Sequence, residues 1–323
     1  MVMAMRVHEY GGPSVFVEDD IQVGRPGPGE IRMVQTVVGL NMIDTYMRKG
    51  LYPMELPGIV GSEAAGVVDA VGEGVNHIAV GDRVAYTRTG GAYVGVRVMP
   101  ADQVVKIPDD ITDEMAAVLM LKGLTAHMLL RQIYAIRPGD TILFYAAAGG
   151  LGSLACPWAR ALGARVIGVV GSEEKIDVAR EYGCAEVLVF GEDDIVASVR
   201  ELTDGDGVPV VYDSLGKDSF DISLDCLALR GTMVTFGNAT GPVPPVSPLT
   251  LMRKGSITLI RPMMTDYFMQ RRELERACNE LFQAVRTRAV PVNIQQRYPL
   301  REASRAHADL ESRKTTGASV LMV

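Results

Sequence analysis

Residues 147–152, Ala147-Ala148-Gly149-Gly150-Leu151-Gly152, lie between an apolar run at 141–146 and a helix-compatible stretch reaching about residue 162, with a second apolar run at 165–170. The spacing is A-x-G-x-x-G at a strand-to-helix turn, with Ala147 in place of the first glycine. Such a turn brings backbone N–H groups at a helix start against a pyrophosphate, so the chemistry indicated is dinucleotide binding. Gly149, Gly150, Leu151 and Gly152 are the candidate contacts. A glycine turn can also serve tight packing alone, but the order strand, turn, helix, strand favours binding.

The second run ends on Val170-Gly171-Ser172-Glu173-Glu174-Lys175, where dinucleotide folds distinguish a free ribose hydroxyl from a 2′-phosphate. Ser172 offers a hydroxyl and Lys175 an ammonium from the first helical turn, which suits the phosphate of NADPH. Two other accounts stay open. Ser172 can be an N-cap with Glu173 and Glu174 as ordinary first-turn acids, and Glu173 can turn to the ribose and admit NADH.

The elements that must carry these groups alternate along the chain. Residues 186–190, 208–213, 232–236 and 256–260 are further strand candidates, which makes six strands in a doubly wound parallel α/β sheet. Ligands of such sheets bind outside the carboxyl ends of the strands, which here carry Ser214-Leu215-Gly216, Phe236-Gly237-Asn238-Ala239 and Arg261-Pro262. The 323 residues exceed one domain of this kind. Residues 31–40, 58–71, 82–87, 92–99 and 103–107 read as short strands of a rolled, largely antiparallel β domain. Residues 112–132 read as helix. After Pro262 the pattern predicts a long amphipathic helix at 267–288, a strand at 290–298, a helix at 301–312 and a last strand at 319–323. That tail is too small to fold alone and is expected to return to the first domain. The divisions expected are 1–122, 123–262 and 263–323.

Charge and ligand counts remove other classes of function. Acidic residues number 39 against 32 basic, a formal charge of −7, with the bases scattered, so nucleic acid is not expected as a partner. The chain lacks an uninterrupted apolar run of about 18 residues, and Arg6, His8 and Glu9 precede any apolar block, so a cytoplasmic protein without membrane contact is expected. Cys156, Cys184, Cys226 and Cys278 form no C-x-x-C pair and are expected as reduced, buried thiols. The four histidines, His8, His77, His127 and His307, show no metal-ligand spacing, so no metal is expected. His77 is expected in a solvated loop and His127 on a helix surface or at the domain boundary.

Several stretches together resemble one family: HEYGGPSV (8–15), VGLNMIDTYMRKGLYP (38–53), GSEAAGVVDAVGEGV (61–75), GDRVAY (81–86), LKGLTAHMLL (121–130), the glycine turn and its helix, VVYDSLG (210–216) and FGNATG (236–241). Over essentially its whole length the chain resembles the NADPH-dependent quinone oxidoreductases of the zinc-independent, zeta-crystallin-like branch of the medium-chain dehydrogenase/reductase superfamily. Where zinc alcohol dehydrogenases carry G-H-E, this chain reads Gly61-Ser62-Glu63. The four-cysteine lobe of those relatives is missing as well. The resemblance implies a GroES-like catalytic β domain beside a Rossmann domain, and a homodimer joined through the last strands of the dinucleotide sheets.

It also implies site residues. Ser172, Lys175 and Arg313 match the family's 2′-phosphate contacts, whereas the tyrosine position is Phe190, which keeps a stacking face but loses a hydroxyl donor. Asn41, Met128, Gly150, Leu151, Leu215, Phe236, Gly237, Asn238, Ala239 and Arg261 are implied around the cofactor. Asn41, Tyr46 and Tyr52 are the implied catalytic group, with Asp44 and Arg48 spaced as an i,i+4 pair. The cofactor would supply hydride, and a tyrosine could stabilise charge developing on a quinone oxygen. Reduction of an enone, alkenal or enoyl thioester needs the same geometry, and a non-catalytic NADPH-binding protein is a third reading.

Overall fold

The computed structural model describes residues 1–87 and 90–323. The chain divides into two compact units, residues 1–124 with 270–282 and 292–323, and residues 125–269 with 283–291.

The second unit is built on six parallel strands in the order Glu186–Val189, Arg165–Val170, Thr141–Tyr145, Val208–Asp213, Leu227–Thr235, Thr258–Ile260. The order reverses direction at Thr141–Tyr145, the first strand of this sheet along the chain, which creates the crevice where doubly wound sheets bind ligands. Val, Ile and Leu recur in these strands because helices cover a parallel sheet on both faces. Leu143, Ile167, Val211 and Met233 accordingly lie in one buried cluster. Cys156, Cys184, Cys226 and Cys278 are free and buried.

In the first unit, the 11-residue strand Glu30–Leu40 is the hub. It pairs antiparallel with Glu63–Val71, Val96–Pro100 and Ala318–Met322, so the last strand of the chain completes the sheet begun near its start. Arg83–Thr87 and Val104–Lys106 extend it on one side, and Ile294–Pro299 pairs parallel with Ala318–Met322 on the other. A separate three-stranded sheet joins Val2–Val7 to Phe16–Ile21 and Gly58–Ile59. Phe16–Ile21 carries acidic residues at half of its positions, and neither it nor Val2–Val7 was expected from the sequence; pairing gives them structure that their pattern does not announce.

The stretch expected as one helix at 112–132 alternates instead. The α-helices Asp113–Val118 and Leu124–His127 are each followed by a π-helical segment, Leu119–Gly123 and Met128–Ile133. Each π segment accommodates an extra residue and rotates the side chains that follow, a device frequent at functional sites. The helix expected at 267–288 is Arg271–Arg286, preceded by a short turn of helix at Met264–Tyr267.

Candidate active site

The glycine turn leaves strand Thr141–Tyr145 through Ala146, whose φ of 55° is left-handed. This placement explains why Ala147 can stand where the pattern has glycine: the unusual backbone falls one residue earlier, at a cost of roughly 1–2 kcal/mol. Gly152, by contrast, has no alternative, because a Cβ there would lie 2.1 Å from the Ala147 carbonyl oxygen. The absence of a side chain lets helix Gly152–Ala161 start against the strand, with Gly149, Gly150 and Leu151 only half-buried in front of it. Ser153 N and Ala155 N already donate to the Gly149 and Leu151 carbonyls at 2.9 Å, so the donors that this opening can present to an anion are those of the glycine turn itself. The Ser153 hydroxyl donates to the Gly150 carbonyl at 2.9 Å and keeps that oxygen away from the cradle.

Beyond the fourth and fifth strands lie two loops, the first of them braced from within by Asp213. Its fully buried carboxylate accepts from the N–H groups of Leu215 and Gly216 at 2.8 and 3.1 Å, and from the Ser219 and Ser223 hydroxyls at 2.7 Å. Thr240 N donates to the Leu215 carbonyl at 2.8 Å, and Lys217 N to that of Gly241 at 3.0 Å, so the loops continue the parallel pairing of the sheet. Arg261 adds a third tie, from Nη1 to the Gly237 carbonyl at 3.0 Å and from Nη2 to the Asn238 amide oxygen at 3.1 Å. Leu215, Phe236, Gly237, Asn238, Ala239 and Arg261 thus come together as one body at the strand ends. Among the described residues the buried hydroxyls of Ser214 and Thr235 there have no protein partner, which fits a crevice completed by a hydrogen-bonding ligand. Met128 belongs to the same unit and is buried at the start of the second π segment.

Ser172 occupies the N-cap position of the 3-10 turn Glu173–Lys175, but its hydroxyl makes no capping bond. Phe190 follows strand Glu186–Val189 and meets Tyr145 edge to face at 6.2 Å, half-buried and packed on the core. Arg313 lies in the other unit, in left-handed backbone with φ 59° after helix Ala303–Glu311.

In the first unit, helix Met42–Arg48 carries Tyr46, with Asn41 at its N-cap and Tyr52 just beyond its end. Asp44 accepts from the Asn41 N–H at 3.0 Å and fixes the helix start. Tyr46 and Tyr52 meet edge to face at 5.8 Å, and the Tyr46 carbonyl accepts from the N–H groups of Leu51 and Tyr52 at 2.9 and 3.3 Å. The expected Asp44–Arg48 ion pair is replaced by longer-range partners. Arg48 donates to Glu311 at 2.8 Å and to the Gly11 carbonyl at 3.1 Å, whereas Asp44 takes the Ser62 hydroxyl at 2.7 Å and the Tyr93 hydroxyl at 3.2 Å. Both side chains are fully buried, where satisfaction by several donors or acceptors outweighs one exposed i,i+4 contact. In the second unit His127, expected at a helix surface or the domain boundary, is likewise buried, because Trp158 and Phe268 pack against its ring. His77 stays exposed in its loop, 3.0 Å from the Ala101 carbonyl.

A polar chain that sequence reasoning missed runs through this unit. His307 Nδ1 lies 3.0 Å from Arg48 Nη1, and Nε2 lies 2.8 Å from the Tyr93 hydroxyl, which continues to Asp44. Arginine can only donate, so Nδ1 accepts and the ring proton sits on Nε2. Burial holds His307 well below the ordinary histidine range, and the Arg48 and Lys49 charges add to this. Burial also pushes the Asp44 carboxyl up to about 7, against the hydrogen bonds from Ser62 and Asn41. From its ordinary value of 3.8 up to about 7 the folded state therefore holds a proton that the unfolded chain has lost, and the stability Asp44 contributes falls as pH rises through that window. His307 works in the opposite direction, since the unfolded ring takes up a proton below about 6.5. Asp44→Asn removes one side of this balance, so denaturant melts at pH 5, 6 and 7 are expected to show stability rising more steeply with pH than in the parent, by up to about 1.4 kcal/mol per unit. Parallel profiles would reject the assignment.

A GroES-like unit together with a parallel sheet in this strand order defines a medium-chain dehydrogenase/reductase. Residues 27–109 match the family model for the alcohol dehydrogenase GroES-like domain, and residues 150–282 that for the zinc-binding dehydrogenases. The chain is 48% identical to a quinone oxidoreductase of Pseudomonas aeruginosa, covering 99% of this chain and all of that one. It is 43% identical to a 2-haloacrylate reductase of Burkholderia, covering all of this chain and 99% of the relative. Among solved structures, the Escherichia coli quinone oxidoreductase complexed with NADPH superposes with a TM-score of 0.97 at 45% identity, covering 99% of this chain and all of that one. The chain belongs to the quinone oxidoreductase family of this superfamily. Its residues do not fit the zinc of the second family model's description: Ser62 is spent on Asp44, and among the described residues no three His, Cys, Asp or Glu side chains are disposed around a metal ion.

Proposed function

We propose that this protein is an NADPH:quinone oxidoreductase that works without a metal. The observation that carries the reading is the cradle itself, a glycine turn followed by a Ser172 hydroxyl left out of capping and the Lys175 ammonium, in a chain similar over its full length to quinone oxidoreductases. NADPH, when bound, supplies the hydride. Gly149 to Gly152 hold the pyrophosphate, Ser172, Lys175 and Arg313 the 2′-phosphate, and Phe190 stacks on the adenosine. The loop body tied by Asp213 and Arg261 orients the nicotinamide end with Met128 and Asn41, and Tyr46 or Tyr52 donates to the acceptor oxygen.

The 43% identity to a 2-haloacrylate reductase supports a second reading, reduction of an alkene activated by a carbonyl or carboxyl group. Steady-state NADPH oxidation with a panel of small quinones, an enone, a haloacrylate and a crotonyl thioester separates the two. Turnover should be highest with quinones; highest turnover with an activated alkene reverses the order, and tight NADPH binding without oxidation by any acceptor removes both.

The same reading includes a homodimer. The outer strand Thr258–Ile260 has one neighbour in its sheet, and Leu229, Leu249 and Met252 are exposed on the same unit, at 81, 53 and 59%. An apolar sheet edge of this kind is protected by pairing with a twin. Light scattering should give about twice the 34.8 kDa chain mass; a concentration-independent monomer rejects this. Free, buried cysteines agree with a cytoplasmic location, which cell fractionation checks. Among the described residues no helix is long and apolar enough to cross a membrane.

A further inference from the structure

Glu63 directly follows Ser62, and its carboxylate is fully buried. It accepts from Asn41 Nδ2 at 2.9 Å, from Lys122 Nζ at 3.0 Å and from Leu121 N at 2.5 Å. Three segments of the first unit therefore converge on one charge: the end of the hub strand, the strand Glu63–Val71 and the first π-helical turn. The seat for this carboxylate is cut out of the hub strand at Gly39. A Cβ there would lie 2.2 Å from Glu63 Oε1 and within 2.5 Å of Cδ and Cγ, so the missing side chain is the space that Glu63 fills. Lys122 is itself 8% exposed and is brought to Glu63 by the π turn Leu119–Gly123.

A buried ion pair contributes little net stability compared with apolar packing, so its position matters more than its strength. What it does here is specify Asn41. A carboxylate only accepts, so it dictates that the nitrogen end of the Asn41 amide faces Glu63; a glutamine in its place would tolerate either end. The Asn41 backbone is held separately by Asp44, at 3.0 Å.

We propose that Glu63, neutralised by Lys122 and seated in the gap at Gly39, is a positioning residue that fixes the orientation of the Asn41 carboxamide for the nicotinamide end of the cofactor. This rests on the reading of Asn41 as a cofactor contact. Burial pushes the Glu63 carboxyl upward and Lys122 opposes this, favouring the ionised, acceptor-only form, and Gly39 is required for it to reach Asn41.

Fluorescence titration of NADPH into Asn41→Ala, Glu63→Gln and their double variant tests both layers, with circular dichroism and thermal melting of each. Asn41→Ala and Glu63→Gln should each weaken NADPH on the order of tenfold, and the double variant should be no weaker than Asn41→Ala, because both act through one contact. Asn41→Asp alone sets two carboxylates together and should weaken binding further; adding Glu63→Gln restores the hydrogen bond with reversed polarity and should recover several-fold in affinity. That exchanged pair keeps one carboxylate beside Lys122 and serves if Glu63→Gln alone does not fold. Loss in Asn41→Ala with no loss in Glu63→Gln, additive losses, or no recovery in the exchanged pair overturn the positioning role and leave the Asn41 contact standing. Unchanged affinity in Asn41→Ala overturns the contact and the positioning role with it.

Discussion

Tyr46→Phe and Tyr52→Phe are each expected to lower the rate constant for hydride transfer by about ten- to a thousandfold while leaving NADPH affinity close to that of the parent. The rings meet edge to face at 5.8 Å with an interplanar angle of 86°, and the backbone from Leu51 to Tyr52 folds back onto the Tyr46 carbonyl. Phenylalanine preserves that ring contact and the backbone bonds are unaffected, so the substitution removes a hydroxyl and little else. A change in rate then reports the donor to the developing oxyanion and not a collapsed pocket. The effect should be larger with an enone than with a quinone, since quinones are reduced readily once positioned and need less charge stabilisation. Pre-steady-state NADPH oxidation with one acceptor of each kind measures this. Equal rates in parent and variants with both acceptors would reduce the tyrosines to packing residues and the acceleration to proximity.

Lys175→Ala is expected to cut the preference for NADPH over NADH by roughly tenfold or more, since each 1.4 kcal/mol of a charge-assisted contact corresponds to a factor of ten. Lys175 ends a one-turn 3-10 helix and its backbone N–H, 3.1 Å from the Ser172 carbonyl, does not depend on the side chain. The turn should therefore survive, keeping the Ser172 hydroxyl in place. Phe190→Tyr is the complement: it keeps the edge contact with Tyr145 and adds a hydroxyl, which should tighten NADPH and leave NADH nearly unchanged. Titration of both cofactors into parent and variants decides the matter. Undiminished NADPH affinity in Lys175→Ala would give the selection to Glu173 reading the ribose.

The dinucleotide unit was legible in the sequence to within a few residues, with strands Arg165–Val170 and Val208–Asp213 expected at those positions and both glycine-bearing loops placed at strand ends. Its signals are local. An apolar run, a glycine where a helix must touch a strand, and a hydroxyl beside a lysine all act within one turn of chain, where spacing translates directly into geometry. The absence of ligand spacing around Ser62 was equally visible. What the tertiary structure decided lies at long separation. Asn41 meets Glu63 across 22 residues, Glu63 meets Lys122 across 59, and Arg48 meets His307 across 259. Nothing in the pattern around Arg48 distinguishes an exposed i,i+4 pair from a buried arginine awaiting a helix near the other end of the chain. Only the return of Ala318–Met322 onto the hub strand, with helix Ala303–Glu311 preceding it, brings His307 and Glu311 to that arginine. The same holds for Gly39, which reads as a weak point in a strand until a buried carboxylate is found occupying its missing side chain. Burial turns these polar residues from surface candidates into an obligatory network, because away from water each donor must find its acceptor wherever the fold has placed it.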